Sequence, residues 1–191
     1  WRANSYIDKV KKLVIETGVT TIATNAFYNC SSLTEAEIGD TVTAIKEFAF
    51  SGCDSLTAVH MPDSITDIDP NAFYQCGNLE EGTLVGKGVY EEKFRWEMTG
   101  GGTLTLSGEG VLPGNSPWYQ VTGGRDLVRV IIEKGITGMG VRSFSRNEHL
   151  VKVELPDGFL SIGEKAFYGC LSLADINIPD SVVTISYDAF E

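Results

Sequence analysis

The sequence has no C-x-x-C pair, no G-x-S-x-G motif, only two histidines, and no apolar run approaching the length of a membrane span. Each shortage removes a class of chemistry. Structural zinc sites draw on closely spaced ligand pairs, and the four cysteines stand far apart. Nucleophilic catalysis needs a base beside a nucleophile and a group that orients it. With only His60 and His149 available, no such constellation can be assembled from the sequence. A helix crossing a bilayer needs roughly 18 or more consecutive apolar residues, so direct membrane insertion is not expected. Basic charge is scarce as well: 15 Lys and Arg against 26 Asp and Glu leave a formal net charge of −11. Acidic excess marks both halves of the chain, which disfavours nucleic acid and anionic membranes as partners. Gly108-Glu109-Gly110 begins like a phosphate-binding loop, yet Pro113 stands where a third glycine is required, so a plain loop is expected. Without an initiator Met or a signal-peptide pattern, Trp1 reads as the start of a processed or excised fragment.

What the sequence does have is a ruler. Phe27, Phe50 and Phe73 fall at equal intervals, and Phe144, Phe167 and Phe190 repeat the same interval. Cys30, Cys53 and Cys76 share the register, and Cys170 follows Phe167 as Cys30 follows Phe27. Leu33, Leu56 and Leu79 match Leu127, Leu150 and Leu173, while Ile22, Ile45 and Ile68 match Met139, Ile162 and Ile185. The period, about 23 residues, falls in the range that marks stacked repeats. One coil cannot bury its apolar face alone, but a stack can.

Within a period, Leu150 to Leu155 alternates as a half-buried strand, and Pro156-Asp157-Gly158 turns the chain. Phe159 and Ile162 direct a second extended segment inward, and Ala166-Phe167 fills the interior. Seven strands are expected, near residues 10–15, 33–38, 56–61, 79–84, 127–132, 150–155 and 173–178. Between Leu84 and Ile132 the ruler fails, since the interval is longer than two full periods. There Phe94, Trp96 and Met98 alternate, Gly100 to Gly102 turns the chain, and Leu104 and Leu106 alternate back, which predicts a hairpin. It serves as a cap or spacer, or is a tolerated insertion. Trp1 stands as far before Ile15 as Trp118 stands before Ile132, so the chain reads as two copies of one larger module.

Several residues invite a chemical reading beside a structural one. The cysteines are expected to form a stacked ladder of buried thiols, with disulfides or metal as the alternative. Asp63, Asp67 and Asp69 form the nearest acidic cluster, but Asp63 matches the turn Asp at 157 and 180, so turn chemistry competes with weak calcium binding. His60 and His149 are expected to face solvent. Tyr90, Phe94, Trp96, Trp118 and Tyr119 either pack the hairpin down or form a second binding surface. The foremost candidate surface is the outward row of the strands: Glu35, Glu37, His60, Glu80, Glu81, Thr83, Lys152, Glu154, Asp175 and Asn177. Alternation sends these side chains away from the core, leaving a binding face or a merely solvated one.

The recurring pattern L-x-x-[IV]-x-[IL]-P-[DN]-S-V-x-x-I-x-x-x-A-F-x-x-C resembles that of the BspA-like leucine-rich repeat family of bacterial surface proteins. It is clearest in Leu150 to Cys170 and in Leu173 to Phe190. The segment from Trp96 to Trp118 is similar to a cap found beside such repeats. Asn147 in the Cys position, Gly82 in a strand-core position and Gly86 in the turn that elsewhere carries Pro-Asp depart from the pattern. The resemblance implies an α/β leucine-rich-repeat solenoid, β-dominated, with a parallel sheet on one face and short strands, turns or short helices on the other. Residues 1–85 form the first set of repeats, 86–126 the hairpin or cap insertion, and 127–191 the second set. It further implies a secreted or surface-anchored binding or adhesion module with no enzymatic activity and no cofactor. Its partner would be a protein or glycan, such as a host surface or matrix component; a structural spacer presenting other domains is the alternative.

Overall fold

A computed structural model describes residues 9–115 and 126–191. Trp1, Trp118 and Tyr119 lie outside the described residues, so the paired Trp positions carry no structural account. The chain divides into two units. Unit 1 comprises Trp1–Gly88, Thr99–Gly101 and Gly123–Arg125; unit 2 comprises Val89–Met98, Gly102–Thr122 and Asp126–Glu191.

In unit 1 the strands β1 (Lys12–Ile15), β3 (Glu35–Ile38) and β5 (Ala58–His60) pair in parallel, each stepping to the equivalent residue of the next coil. Lys12 pairs Glu35, and Val14 pairs Glu37, which pairs His60 in turn. A second parallel row joins β2 (Thr21–Ile22), β4 (Ala44–Ile45) and β6 (Asp67–Ile68). Alternation decides the faces: in β3, Ala36 and Ile38 are buried while Glu35 and Glu37 are not. The row ends where β7 (Leu84–Tyr90) runs antiparallel to β6, Ile68 opposite Lys87.

The strand expected near residues 79–84 does not form. Glu80 N still donates to Thr57 O as the repeat requires, at 3.0 Å. The chain then turns, and Gly100 N and Gly101 N donate to Thr83 O and Glu81 O instead. The glycine turn thereby takes the hydrogen bonds that a strand partner would have used. It can approach because a Cβ at Gly100 would meet Glu80 O at 3.0 Å and one at Gly101 would meet Glu81 Cβ at 3.1 Å.

In unit 2, β8 (Phe94–Thr99) and β9 (Thr103–Ser107) form the expected hairpin, with Trp96 opposite Leu106 and Met98 opposite Leu104. The hairpin is more than an appendage. β9 also pairs in parallel with β11 (Arg129–Ile132), followed by β13 (Lys152–Glu154) and β15 (Asp175–Asn177). Likewise β10 (Gly110–Leu112) heads the second row, before β12 (Ile136–Met139), β14 (Ser161–Ile162) and β16 (Thr184–Ile185). Thus β9 and β10 together make a coil whose sequence does not match the repeat. The step along the chain from Thr103 to its partner Arg129 is longer than the step from Arg129 to Lys152. That local lengthening breaks the ruler.

Aromatic stacking fills both interiors. Phe27–Phe50 and Phe50–Phe73 have ring centroids 5.2 and 5.1 Å apart; Phe144–Phe167 and Phe167–Phe190 are at 5.6 and 5.4 Å. These separations exceed the ~4.8 Å between strands, so the rings are offset, the arrangement that aromatic quadrupoles favour.

Among the described residues there is no α-helix, so the α/β label holds only in its β-dominated sense. The far wall of each coil is a run of turns. Left-handed residues recur in it at the repeat spacing: Asn25 and Phe48 in unit 1, then Arg142, Lys165 and Asp188 in unit 2. Further along each wall stand Asn29, Gly52 and Gln75, then Arg146 and Gly169, also at positive φ. Left-handed residues at such short intervals break the i to i−4 bonding of a helix. The freed amides bond to the next coil instead: Phe27 N to Ala49 O at 2.7 Å, Phe50 N to Ala72 O at 2.8 Å, and Phe167 N to Ala189 O at 2.8 Å.

Candidate binding face on the strand row

The outward residues of the first strand row divide into two clusters, one in each unit. In unit 1, Lys12 Nζ donates to Glu37 Oε1 at 2.6 Å and to Glu35 Oε1 at 3.3 Å. His60 Nε2 lies 3.4 Å from Glu35 Oε1, and the His60 side chain is 65% exposed. Hydrogen bonding to Glu37, then to Glu35, holds the Lys12 ammonium above its ordinary range, and the same lysine holds Glu37 below the ordinary carboxylate range. In unit 2, Arg129 Nη2 pairs with Glu154 Oε1, and Lys152 Nζ reaches Asp175 Oδ2 at 2.9 Å and Glu154 Oε1 at 3.6 Å. The bond to Asp175 raises the Lys152 ammonium.

Of the ten residues read from the sequence, Glu35, Glu37 and His60 share the face of unit 1, and Lys152, Glu154, Asp175 and Asn177 share that of unit 2. Glu80, Glu81 and Thr83 belong to neither: they sit in the turn segment before β7. Sequence reasoning missed Lys12 and Arg129, which complete the two clusters. Both were within reach, since each stands one period before a residue already on the row, Glu35 and Lys152 respectively.

Charges that pair across neighbouring strands neutralise one another, and exposed pairs of this kind contribute little to stability. They do fix the side chains in place, so the row presents ordered acid–base pairs and a neighbouring imidazole at regular intervals. No arrangement of nucleophile, base and orienting group occurs on the described part of the row.

The remaining chemically suggestive residues have structural roles. The four cysteines stand as thiols. Cys53, Cys76 and Cys170 each donate Sγ–H to a Phe carbonyl of the preceding coil, at 3.3, 3.0 and 3.1 Å. Hydrogen bonding to Cys30, then to Cys76, with burial, pushes the Cys53 thiol far up; burial pushes Cys170 up to about 11. Asn147, in the Cys position of its coil, bonds Phe144 O at 2.6 Å through Nδ2. His149 Nδ1 lies 3.0 Å from Asp126 Oδ1, both side chains being mostly exposed. Among the described residues no group of three or more His, Cys, Asp or Glu is placed to hold a metal ion, Asp63, Asp67 and Asp69 included. Phe94 and Trp96 are buried within unit 2, so they pack the hairpin instead of offering a surface. No helix of the described residues is long and apolar enough to cross a membrane.

A family model described as the BspA type leucine rich repeat region matches the chain in 6 copies, over residues 3–91 and 122–191. No curated protein matches the chain. Among solved structures, the leucine-rich repeat protein of T. pallidum is similar at 26% identity over 92% of this chain and 74% of that one, with a TM-score of 0.42. A leucine-rich repeat protein from Bacteroides ovatus is similar at 23% identity over 91% of this chain, with a TM-score of 0.46; the chain spans 47% of that protein's length. A leucine rich cell surface protein from Faecalibacterium prausnitzii is similar at 20% identity over 95% of this chain and 70% of that one, with a TM-score of 0.39.

Proposed function

Because the chain belongs to the BspA-type leucine-rich repeat family, we propose that it is a non-catalytic binding or adhesion module that engages a protein or glycan through its exposed strand face. Leucine-rich repeat solenoids are binding or scaffold folds, and family members are bacterial surface proteins. On this reading the chain works outside the cell, secreted or at the surface, against a host surface or matrix component. One observation carries it: the outward row of β1, β3 and β5 sets Lys12, Glu35, Glu37 and His60 on a regular grid, each paired with its counterpart one coil away. Extended rows of this kind are the surfaces on which repeat proteins bind.

The test is a screen of the chain against immobilised matrix proteins and a glycan array, repeated with Glu35, Glu37 and His60 all changed to Ala. The expected result is at least one saturable partner, with affinity for it falling about tenfold or more in the triple variant, as when several central contacts are removed together. Retained affinity in the variant overturns the strand-face assignment, and a screen without any partner overturns the binding role. A second reading, a structural spacer presenting neighbouring domains, draws on unit 2. There Arg129, Lys152, Glu154 and Asp175 are engaged with one another, as Lys12, Glu35 and Glu37 are in unit 1, and charges already paired offer less to a partner.

A further inference from the structure

Phe48 breaks the pattern of the turn wall in unit 1. Its place in the coil is left-handed in both units: Asn25 has φ 59° there, and Arg142, Lys165 and Asp188 hold the same conformation in unit 2. Asparagine enters that region readily, whereas a bulky aromatic does so at a cost. Yet Phe48 sits at φ 55°, with its side chain only half-buried. The ring that meets it belongs to Tyr74, one coil on and exposed, with centroids 6.3 Å apart and planes at 73°. Amides flank the pair: Asn71 takes the place of Phe48 in the third coil, and Gln75 follows Tyr74 on the exposed wall. Neither side-chain amide is hydrogen-bonded to another described residue. Unit 2 uses the same place differently. There Lys165 stands where unit 1 has Phe48, its Nζ 5.8 and 5.9 Å from the Tyr168 and Tyr187 ring centroids and 3.6 Å from Asp188 Oδ2. Its tyrosine faces are engaged from within the molecule, whereas unit 1 places a second aromatic ring where that cation would be.

We propose that Phe48 and Tyr74 form a binding site for a neutral saccharide, one pyranose ring held in the corner between the two aromatic rings. A strained, half-exposed residue where the fold favours another type points to function. Aromatic faces take up the C–H face of a sugar, because their negative quadrupole attracts positively polarised hydrogens. Unengaged amides suit hydroxyls, since each amide carries both donors and an acceptor and a hydroxyl acts as either. A few such polar groups around an aromatic surface fix the orientation of a ligand. Rings inclined at 73° make a corner, not a shelf, so the site receives a single or terminal sugar and not a flat chain. Glu47, exposed and next to Phe48 in the chain, opposes an anionic sugar. The site uses no residue of the first coil and none of Glu35, Glu37 or His60. It therefore goes beyond the strand-face reading and does not rest on it.

The experiment titrates the whole chain by ligand-observed NMR with the methyl glycosides of glucose, galactose and mannose. Methyl glucuronide serves as the anionic counterpart, and a proline-rich peptide as the competing occupant of an aromatic surface. The expected result is saturable binding of at least one neutral glycoside, with the glucuronide several-fold weaker at low salt. Tyr74→Ala and Phe48→Asn should each weaken that binding about tenfold. Phe48→Asn should also melt at or above the temperature of the parent, which a packing role for Phe48 would not give. Changing Glu35, Glu37 and His60 together to Ala should leave glycoside binding as it was. The proposal is overturned if no neutral glycoside binds saturably, if the glucuronide binds as tightly, or if either wall variant keeps its affinity. A marked fall in the melting temperature of Phe48→Asn overturns it too, as does loss of glycoside binding in the strand-face variant. Binding of the peptide and of none of the glycosides gives the surface to a protein partner and likewise ends the proposal.

Discussion

Phe27 and Phe144 occupy the same place in the same repeat, yet one is partly exposed and the other sealed. Nothing in their immediate sequence separates them: each follows two strands in matching register and stacks on the Phe of the next coil. The difference lies on the other side of the ring, where β9 and β10 close unit 2 and no described strand closes unit 1. A solenoid coil is buried only as well as its two neighbours bury it. The repeat therefore defines what a residue does, and the stack defines how much it contributes.

The most damaging way to probe that contrast is to delete the rings. Phe144→Ala, like Phe50→Ala and Phe167→Ala at fully stacked positions, is expected to cost about 3–5 kcal/mol in urea denaturation, the range for large buried aromatics. Phe27→Ala should cost clearly less, about 1–2 kcal/mol, because part of that side chain is already in water. Equal losses at 27 and 144 would break the comparison.

A smaller effect separates the thiols. Alkylation of the folded chain near pH 9 is expected to reach Cys170 first, since of the four thiols it alone is not fully buried. Cys53 should react last, enclosed between Cys30 and Cys76 with its thiol held protonated. A rate difference of about tenfold or more, read by mass spectrometry, follows from the reactive species being the thiolate. After denaturation all four should react alike, and fewer than four thiols would overturn the ladder of stacked thiols.

The least effect belongs to the surface pairs. Glu37 has its pKa depressed in the fold, so its contribution is present above the unfolded value near 4.5 and is lost as pH falls through the folded value. Lys12, with a raised pKa, contributes below 10.5 and loses that contribution as pH rises through its folded value. In unit 2, Lys152 behaves as Lys12 does. A carboxyl titration by NMR should find Glu37 titrating below its ordinary range in the parent and returning to it in Lys12→Met. No shift on that substitution would remove Lys12 as the cause.

Much of this was legible in the sequence because the contacts between coils join equivalent positions. Ile22, Ile45 and Ile68, or Phe50 and Phe73, meet their own counterparts one period away, so the spacing already names the partners. The hairpin was readable for a similar reason, since Trp96 and Leu106 alternate about a glycine turn. The strand expected at 79–84 failed because its competitor, the Gly100–Gly101 turn, arrives from a later segment of the chain and leaves no trace in the local pattern. The left-handed wall was hidden because Asn25, Phe48, Arg142 and Lys165 share a backbone conformation but no side-chain type.

By itself, then, the sequence determined the coil: its length, its inward residues, its thiols and the row of side chains turned to solvent. Those are set by alternation and by a period that matches each residue to its own copy. Only the tertiary structure decided that β9 and β10 form a coil without repeating its sequence, and which charges pair across the row. It alone decided that β9 and β10 cover the first coil of unit 2, while among the described residues no strand pairs with the outer edge of β1. These depend on which non-equivalent segments meet, and a periodic pattern carries no information about contacts that do not follow its period.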